Sequence, residues 1–267
     1  MPDGLRLALT TLTVLPVRGP AHLDRRTAGR AMQLAPLVGL LVGLGAAAVL
    51  LGSRLVVEDR TSTLLPAVLT LAVLAALTRG LHLDGLADTA DGLASYLPPE
   101  QARAVMKAPD VGALGMVTVV LALGLQATAL AAAVTQGRGT VSVLLATVLS
   151  RTAVLAACTP PTPAASPDGL GALVVGTVRR GVTPVVVVAV TALFCLYELV
   201  AEHGHRADPA VDVGRVLLAV AAGLLAARLL RRHAVRRLGG VNGDVLGALV
   251  EVTTTVVLVV MALQPPH

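Results

Sequence analysis

Residues 33–51, QLAPLVGLLVGLGAAAVLL, run for nineteen positions without a charge, close to the roughly 20 apolar residues a helix needs to cross a bilayer. Working outward from it, similar windows run from Leu64 to Leu77, Val111 to Val134, Val141 to Cys158, Val182 to Ala201, Val213 to Leu230 and Val245 to Leu263. The window from Leu64 is short and is expected to be extended by its flanks. Leu170 to Val178 is too short to cross and reads as a re-entrant or interfacial piece. Leu5 to Val17 lacks a small-residue cleavage site and is broken by Pro16, so an amphipathic or partly inserted helix is expected there, not a signal peptide. The expected fold is an all-α polytopic transmembrane bundle of about 6–8 spans. One membrane domain is expected to cover residues 1–267.

Composition agrees. The 267 residues are 55% hydrophobic and 14% charged, against roughly 25% charged in a soluble domain, so lipid is the expected solvent. The net charge of +5 does not point to nucleic acid, because aromatic residues make up 1% of the chain and leave almost nothing to stack on bases. With no Trp there is no aromatic belt either, and arginines near span ends are expected to anchor the interfaces by snorkelling. Cys158 and Cys195 lie in apolar segments without a CxxC spacing and read as small buried hydrophobes. Gly39, Gly43 and Gly45 form a small-residue surface suited to a tight helix crossing.

Placing the N-terminus in the cytoplasm puts fifteen basic residues inside: Arg6, Arg18, Arg25, Arg26, Arg30, Arg79, Arg103, Lys107, Arg179, Arg180, Arg228, Arg231, Arg232, Arg236 and Arg237. Five fall outside, namely Arg54, Arg60, Arg138, Arg206 and Arg215, and Arg151 lies within a span. The excess of arginine on one side is the positive-inside pattern. His203 and His205 resemble a metal pair, but this orientation puts them outside, as loop residues.

The connection after the second window reads TRGLHLDGLADTADGL, Thr78 to Leu93. On a helix advancing about 100° per residue, Asp84, Asp88 and Asp91 fall within about 60° of one another. Leu83, Leu86, Ala90 and Leu93 take the opposite face. Three carboxylates on one stripe raise one another's pKa unless a cation neutralises them. Oxygen donors favour a hard divalent ion such as Mg²⁺, or Mn²⁺, completed by substrate phosphates. Gly85 and Gly92 edge the stripe and are expected to leave room for a bulky substrate. His82, beside it, is a candidate to orient a phosphate.

Near the C-terminus, GGVNGDVLGALVE opens the last window, with Asp244 and Glu251 on one helical face and Thr255 continuing it. Carboxylates at membrane depth are costly and mark function, so Glu251 is a candidate to complete the metal site, act as general base or pair with an arginine. Arg79, Lys107, Arg151, Arg179 and Arg180 are the basic groups that could grip a diphosphate. Arginines at span boundaries are explained by topology. Arg151, inside an apolar span beside Ser150, and Lys107, the single lysine, are the better candidates for substrate phosphate, with Asp244 as a further substrate contact.

The stretch RGLHLDGLADTADG from Arg79 to Gly92 resembles the signature of the cobalamin synthase family, the adenosylcobinamide-GDP ribazoletransferases. Further resemblances follow in order: Leu12 to Val17, Pro36 to Gly39, Met106-Lys107 with Val111 to Ala113, Ser150-Arg151, Pro167 to Gly171, and Gly243 to Ala248 with Glu251. They cover nearly the whole chain. Two positions depart from the family: Ala108-Pro109-Asp110 stand where Asp-Ser-Arg usually follows the lysine, and Val250 where Asn often precedes the glutamate. The first bears on any phosphate-binding role of that turn.

The resemblance implies that α-ribazole, or its 5′-phosphate, attacks adenosylcobinamide-GDP, releasing GMP and forming adenosylcobalamin or its phosphate. It implies Asp84, Asp88 and Asp91 as metal ligands, one of them or Glu251 as base, and Lys107 or Arg151 on the phosphate. The site is expected on the cytoplasmic face of the cell membrane, and assembly into a homo-oligomer stays open. Three alternatives remain. A membrane CDP-alcohol phosphotransferase would carry Ala-Arg after the first Asp-Gly, and Ala87-Asp88 stands there instead. A membrane prenyltransferase would carry two acidic motifs of similar strength. A small ion-coupled transporter would hold its carboxylates near the bilayer midplane.

Overall fold

The computed structural model describes residues 1–56, 62–200 and 209–264; the expected loop pair His203 and His205 lies outside them. The described residues form eleven helices: α1 (Asp3–Leu12), α2 (Arg25–Val56), α3 (Leu64–Leu77), α4 (Leu81–Ala94), α5 (Pro99–Val105), α6 (Ala113–Thr135), α7 (Gly139–Ala157), α8 (Gly169–Val174), α9 (Val182–Val200), α10 (Pro209–Leu238) and α11 (Gly243–Ala262). Their only strand-like pairing is an isolated bridge between Ala164 and Val241. Six helices, α2, α6, α7, α9, α10 and α11, are long and apolar enough to cross a membrane.

Burial sorts them. The apolar window of α7 is 83% buried and that of α11 67%, against 17% for α9, so α7 and α11 form the centre while α9 turns Val185, Val188 and Leu196 outward. The interior carries the polar groups: Ser142, Thr147, Ser150, Arg151 and Thr152 of α7 are all buried. That inversion is expected of helices solvated by lipid, whose surface needs only apolar atoms. The glycine surface on α2 is a close crossing: a Cβ on Gly39 would land on the Thr147 carbonyl of α7, and one on Gly43 on the Thr147 hydroxyl. Gly45 instead faces Leu77 of α3.

Three differences from the sequence expectation matter. First, α2 is longer than its apolar window, 32 residues, because helical propensity carries it past the uncharged stretch into Arg25–Arg30. Second, the short window at α3 is not extended by its flanks: α3 and α4 meet at 88°. Arg79 and Gly80 both take positive φ, 55° and 66°, and Gly80 supplies the left-handed turn that a side chain disfavours. With 14 residues, α3 is about 21 Å long, short of a hydrocarbon core of about 30 Å. The bend turns α4 onto the starts of α6 and α11. Third, the N-terminal helix ends at Leu12, before the expected limit. It lays Leu7 and Ala8 against the core, and the chain beyond it is fastened where the Val14 N–H donates to the Leu77 carbonyl at 2.8 Å.

At the far end of α11 a buried ion cluster closes the bundle. Asp212 of α10 accepts from Arg215 one turn on and faces Arg138 of the α6–α7 turn at 3.5 Å. Arg215 also donates to the Leu263 carbonyl at 3.2 Å. Asp212→Ala leaves two buried guanidinium groups without the carboxylate they share, so thermal unfolding in detergent should show a loss of about 3–5 kcal/mol. An unchanged midpoint would mean that these charges are solvated.

Candidate active site

The site is built by one helix crossing. Where α4 passes the first turn of α11, a Cβ on Gly85 would lie 2.6 Å from the Asp244 carbonyl oxygen and 3.0 Å from its Cα. From the other side, a Cβ on Gly247 would stand 3.2 Å from the His82 Cα and 3.3 Å from the Leu81 carbonyl. Backbone touches backbone, as small residues permit. This corrects the expectation that Gly85 and Gly92 leave space for substrate: Gly85 is filled by α11, and a Cβ on Gly92 would meet the Met106 side chain at 2.5 Å.

The crossing gathers acids from two helices. Asp84 and Asp88 of α4 stand close enough to Asp244 for their charges to act on one another. Asp88 feels this most: burial first, then the carboxylates of Asp84, Asp244 and Asp91, push its carboxyl up to about 6. Asn242 prepares Asp244. Its Oδ1 accepts the Val245 N–H at 3.0 Å and caps α11, while its Nδ2 donates to Asp244 Oδ2 at 2.8 Å. Lys107, exposed after α5, is the positive charge that reaches Asp244.

Asp91 is differently placed. Its two oxygens accept the backbone N–H groups of Gly112 and Gly115 at 2.9 and 2.8 Å. It thus sits at the N-terminus of α6, where a carboxylate also meets the helix dipole favourably. A Cβ on either glycine would fall on that carboxylate. Asp91 joins α4 to α6, and a cavity of about 600 Å³ opens along the same two helices, lined by Arg79, Asp84 and apolar residues including Leu83, Met116 and Val120.

Behind α4 lies a second polar group. The buried His82 Nδ1 is 3.4 Å from an Arg151 guanidinium nitrogen, and Arg151 donates to Ser150 Oγ at 3.1 Å. Burial and then the Arg151 charge hold the His82 imidazole well below its ordinary pKa. The ring is therefore neutral and accepts at Nδ1, and its Nε2 has no protein partner. Gln126 of α6 donates to Glu251 Oε2 at 2.9 Å and to Thr255 Oγ1 at 3.0 Å. His82, Arg151, Gln126 and Glu251 share the wall of a cavity of about 30 Å³, room for a bridging water.

The eight side chains singled out in the sequence thus fall into two groups on either side of one helix. Asp84 lines the open cavity, with Asp88 and Asp244 within reach of its charge and Lys107 within reach of Asp244, and Asp91 is bound to the start of α6; His82, Arg151 and Glu251 line the enclosed one. Among the described residues, no three His, Cys, Asp or Glu side chains converge closely enough to hold an ion by themselves. One or two carboxylates suit an octahedral Mg²⁺ that keeps its waters and takes substrate phosphates as further ligands, so the donor chemistry fits a hard divalent cation. Sequence reading passed over Gln126 and Asn242. The first was visible as a lone amide within an apolar window, the second as an N-cap residue opening a helix.

A family model described as Cobalamin-5-phosphate synthase matches residues 4–262. Similar curated proteins named adenosylcobinamide-GDP ribazoletransferase occur in Frankia casuarinae, 46% identical over 98% of this chain and 95% of the relative, and in Nocardioides, 41% identical over 98% and 99%. A third, from Corynebacterium efficiens, is 38% identical over 97% and 91%. No solved structure matches the chain.

Proposed function

Because the chain belongs to the Cobalamin-5-phosphate synthase family, we propose that it joins adenosylcobinamide-GDP to α-ribazole or α-ribazole 5′-phosphate, forming adenosylcobalamin or its 5′-phosphate with release of GMP. The observation that carries the reading is the α4–α11 crossing, which sets Asp84 and Asp88 beside Asp244 and opens Asp84 and Arg79 to a largely apolar cavity of about 600 Å³. That wall suits a corrinoid carrying a diphosphate.

Mg²⁺, with Mn²⁺ as a substitute, is the cation this donor set fits, held by Asp84 and Asp88 with Asp91 fixed behind them; when bound it supplies positive charge to the diphosphate and the departing GMP. Arg79 and Lys107 meet the phosphate oxygens from the protein side. The ribose hydroxyl loses its proton to a carboxylate oxygen of the same group. Lys107 is followed by Ala108, Pro109 and Asp110, where the pattern it resembles usually has Asp-Ser-Arg, so the lysine is the basic side chain that turn offers to phosphate. The enclosed group acts through position: Arg151 on His82 ties α4 to α7, and Gln126 on Glu251 ties α11 to α6.

The fifteen-to-five distribution of basic residues supports a site facing the cytoplasm at the cell membrane. Membranes containing the protein, given α-ribazole and adenosylcobinamide-GDP, should release GMP in equal amount to the completed corrinoid, and only with Mg²⁺ or Mn²⁺. Turnover undiminished by a chelator would remove the metal role, and GMP without a joined corrinoid would remove the transferase reading.

A further inference from the structure

The start of α2 forms a pocket that the acidic site does not use. Arg26, Arg30 and Gln33 of α2 and Thr177 and Arg179 of the α8–α9 connection line a cavity of about 520 Å³, within the range of ligand pockets. Its base is built. Arg25 donates to the Ala172 carbonyl and, at 2.8 Å, to that of Val175. Gly29 lets the connection lie against α2, since a Cβ there would stand 3.0 Å from Thr177. No carboxylate lines the pocket. The nearest acid in sequence, Asp24, feels the charge of Arg26 and accepts the Thr27 N–H at 2.7 Å.

Topology accounts for how many arginines lie on one side of the membrane, but not for three of them turning onto a single cavity, where like charges repel. An anion relieves that repulsion. Guanidinium groups offer paired N–H donors in the geometry that phosphate accepts, and Gln33 adds a neutral donor. Depth narrows the source. Arg30 and Arg54 of α2 are 24 residues apart, about 36 Å on a helix, and so bracket a hydrocarbon core of about 30 Å. Arg179 stands three residues before Val182, where α9 begins. Both walls thus reach the level of the lipid head groups, where basic pockets between helices take anionic lipid phosphates.

We propose that Arg26, Arg30 and Arg179 form a binding site for a phosphate-bearing anion at the membrane surface, separate from the acidic site. The phosphate comes from an anionic phospholipid or from a soluble phosphate.

The test measures phosphatidylglycerol and phosphatidylcholine retained by the detergent-purified protein by native mass spectrometry, and radiolabelled inorganic phosphate by equilibrium dialysis at matched ionic strength. Wild type should retain phosphatidylglycerol over phosphatidylcholine, bind phosphate, or both. Arg30→Gln with Arg179→Gln should weaken that binding at least tenfold, and Arg236→Gln, outside the pocket, should not. Phosphatidylglycerol alone identifies the lipid as the source, and phosphate alone a soluble anion. If the double variant fails to fold, Arg179→Gln by itself should weaken binding at least threefold. Equal retention of the two lipids with no phosphate bound, or binding unchanged in the pocket variants, overturns the site. Corrinoid formation by wild type is measured separately and does not enter this result.

Discussion

Asp88→Asn should lower turnover by roughly 10²–10³-fold, the scale of removing one charge-stabilising group from a preorganised site, while the protein still inserts and folds. The same change should leave stability intact or raise it. Burial and three neighbouring carboxylates hold the Asp88 carboxyl at about 6, above its usual 3.8, so the folded protein disfavours the charged form. A raised carboxylate pKa makes stability fall as pH rises from about 4 to about 6. Above that window, without divalent cation, the neutral asparagine lacks this penalty, and the advantage of the variant should fade as pH drops through it. A residue whose replacement stabilises the fold and stops the reaction is held for the reaction. Near-normal turnover in Asp88→Asn would remove Asp88 from the chemistry.

Gly85→Ala should cost about 10²-fold in turnover through geometry alone. Its added methyl meets the Asp244 carbonyl at 2.6 Å, and that atom is backbone in the first turn of α11, so it cannot swing aside. The helices must part, by about 1 Å, and a shift of that size between reacting groups carries about this penalty. Overpacking should also lower the unfolding free energy by about 1–3 kcal/mol. Gly124→Ala is the control: nothing lies within 4 Å of a Cβ there, so activity should be unchanged. If Gly85→Ala works as well as Gly124→Ala, the crossing does not set the site.

What the sequence made legible was local. Apolar windows located the spanning helices because each depends on its own residues, and Gly39 and Gly43 announced a close crossing without naming α7 as its partner. The stripe of Asp84, Asp88 and Asp91 followed from helical spacing alone. The bend before α4 did not, since it depends on Arg79, a residue that seldom takes positive φ. Nor did the role of Gly85, because an absent side chain reads equally as space for substrate or for a neighbouring helix. Asp91 illustrates the same limit: its partners Gly112 and Gly115 lie 21 and 24 residues away, beyond any local pattern. Glu251 was visible as a costly carboxylate in an apolar span, but that it lies with Gln126 behind α4, not with Asp84 in front, depends on how three helices meet.

Binding of Mn²⁺ to the purified protein, read by electron paramagnetic resonance in the presence of adenosylcobinamide-GDP, tests most directly whether the acids at the α4–α11 crossing hold the ion that the reaction needs. Wild type should bind it with the substrate present, and Asp84→Asn and Asp88→Asn should each weaken that binding at least tenfold. Equal Mn²⁺ binding in wild type and both variants would contradict the assignment of these carboxylates as the metal-holding group.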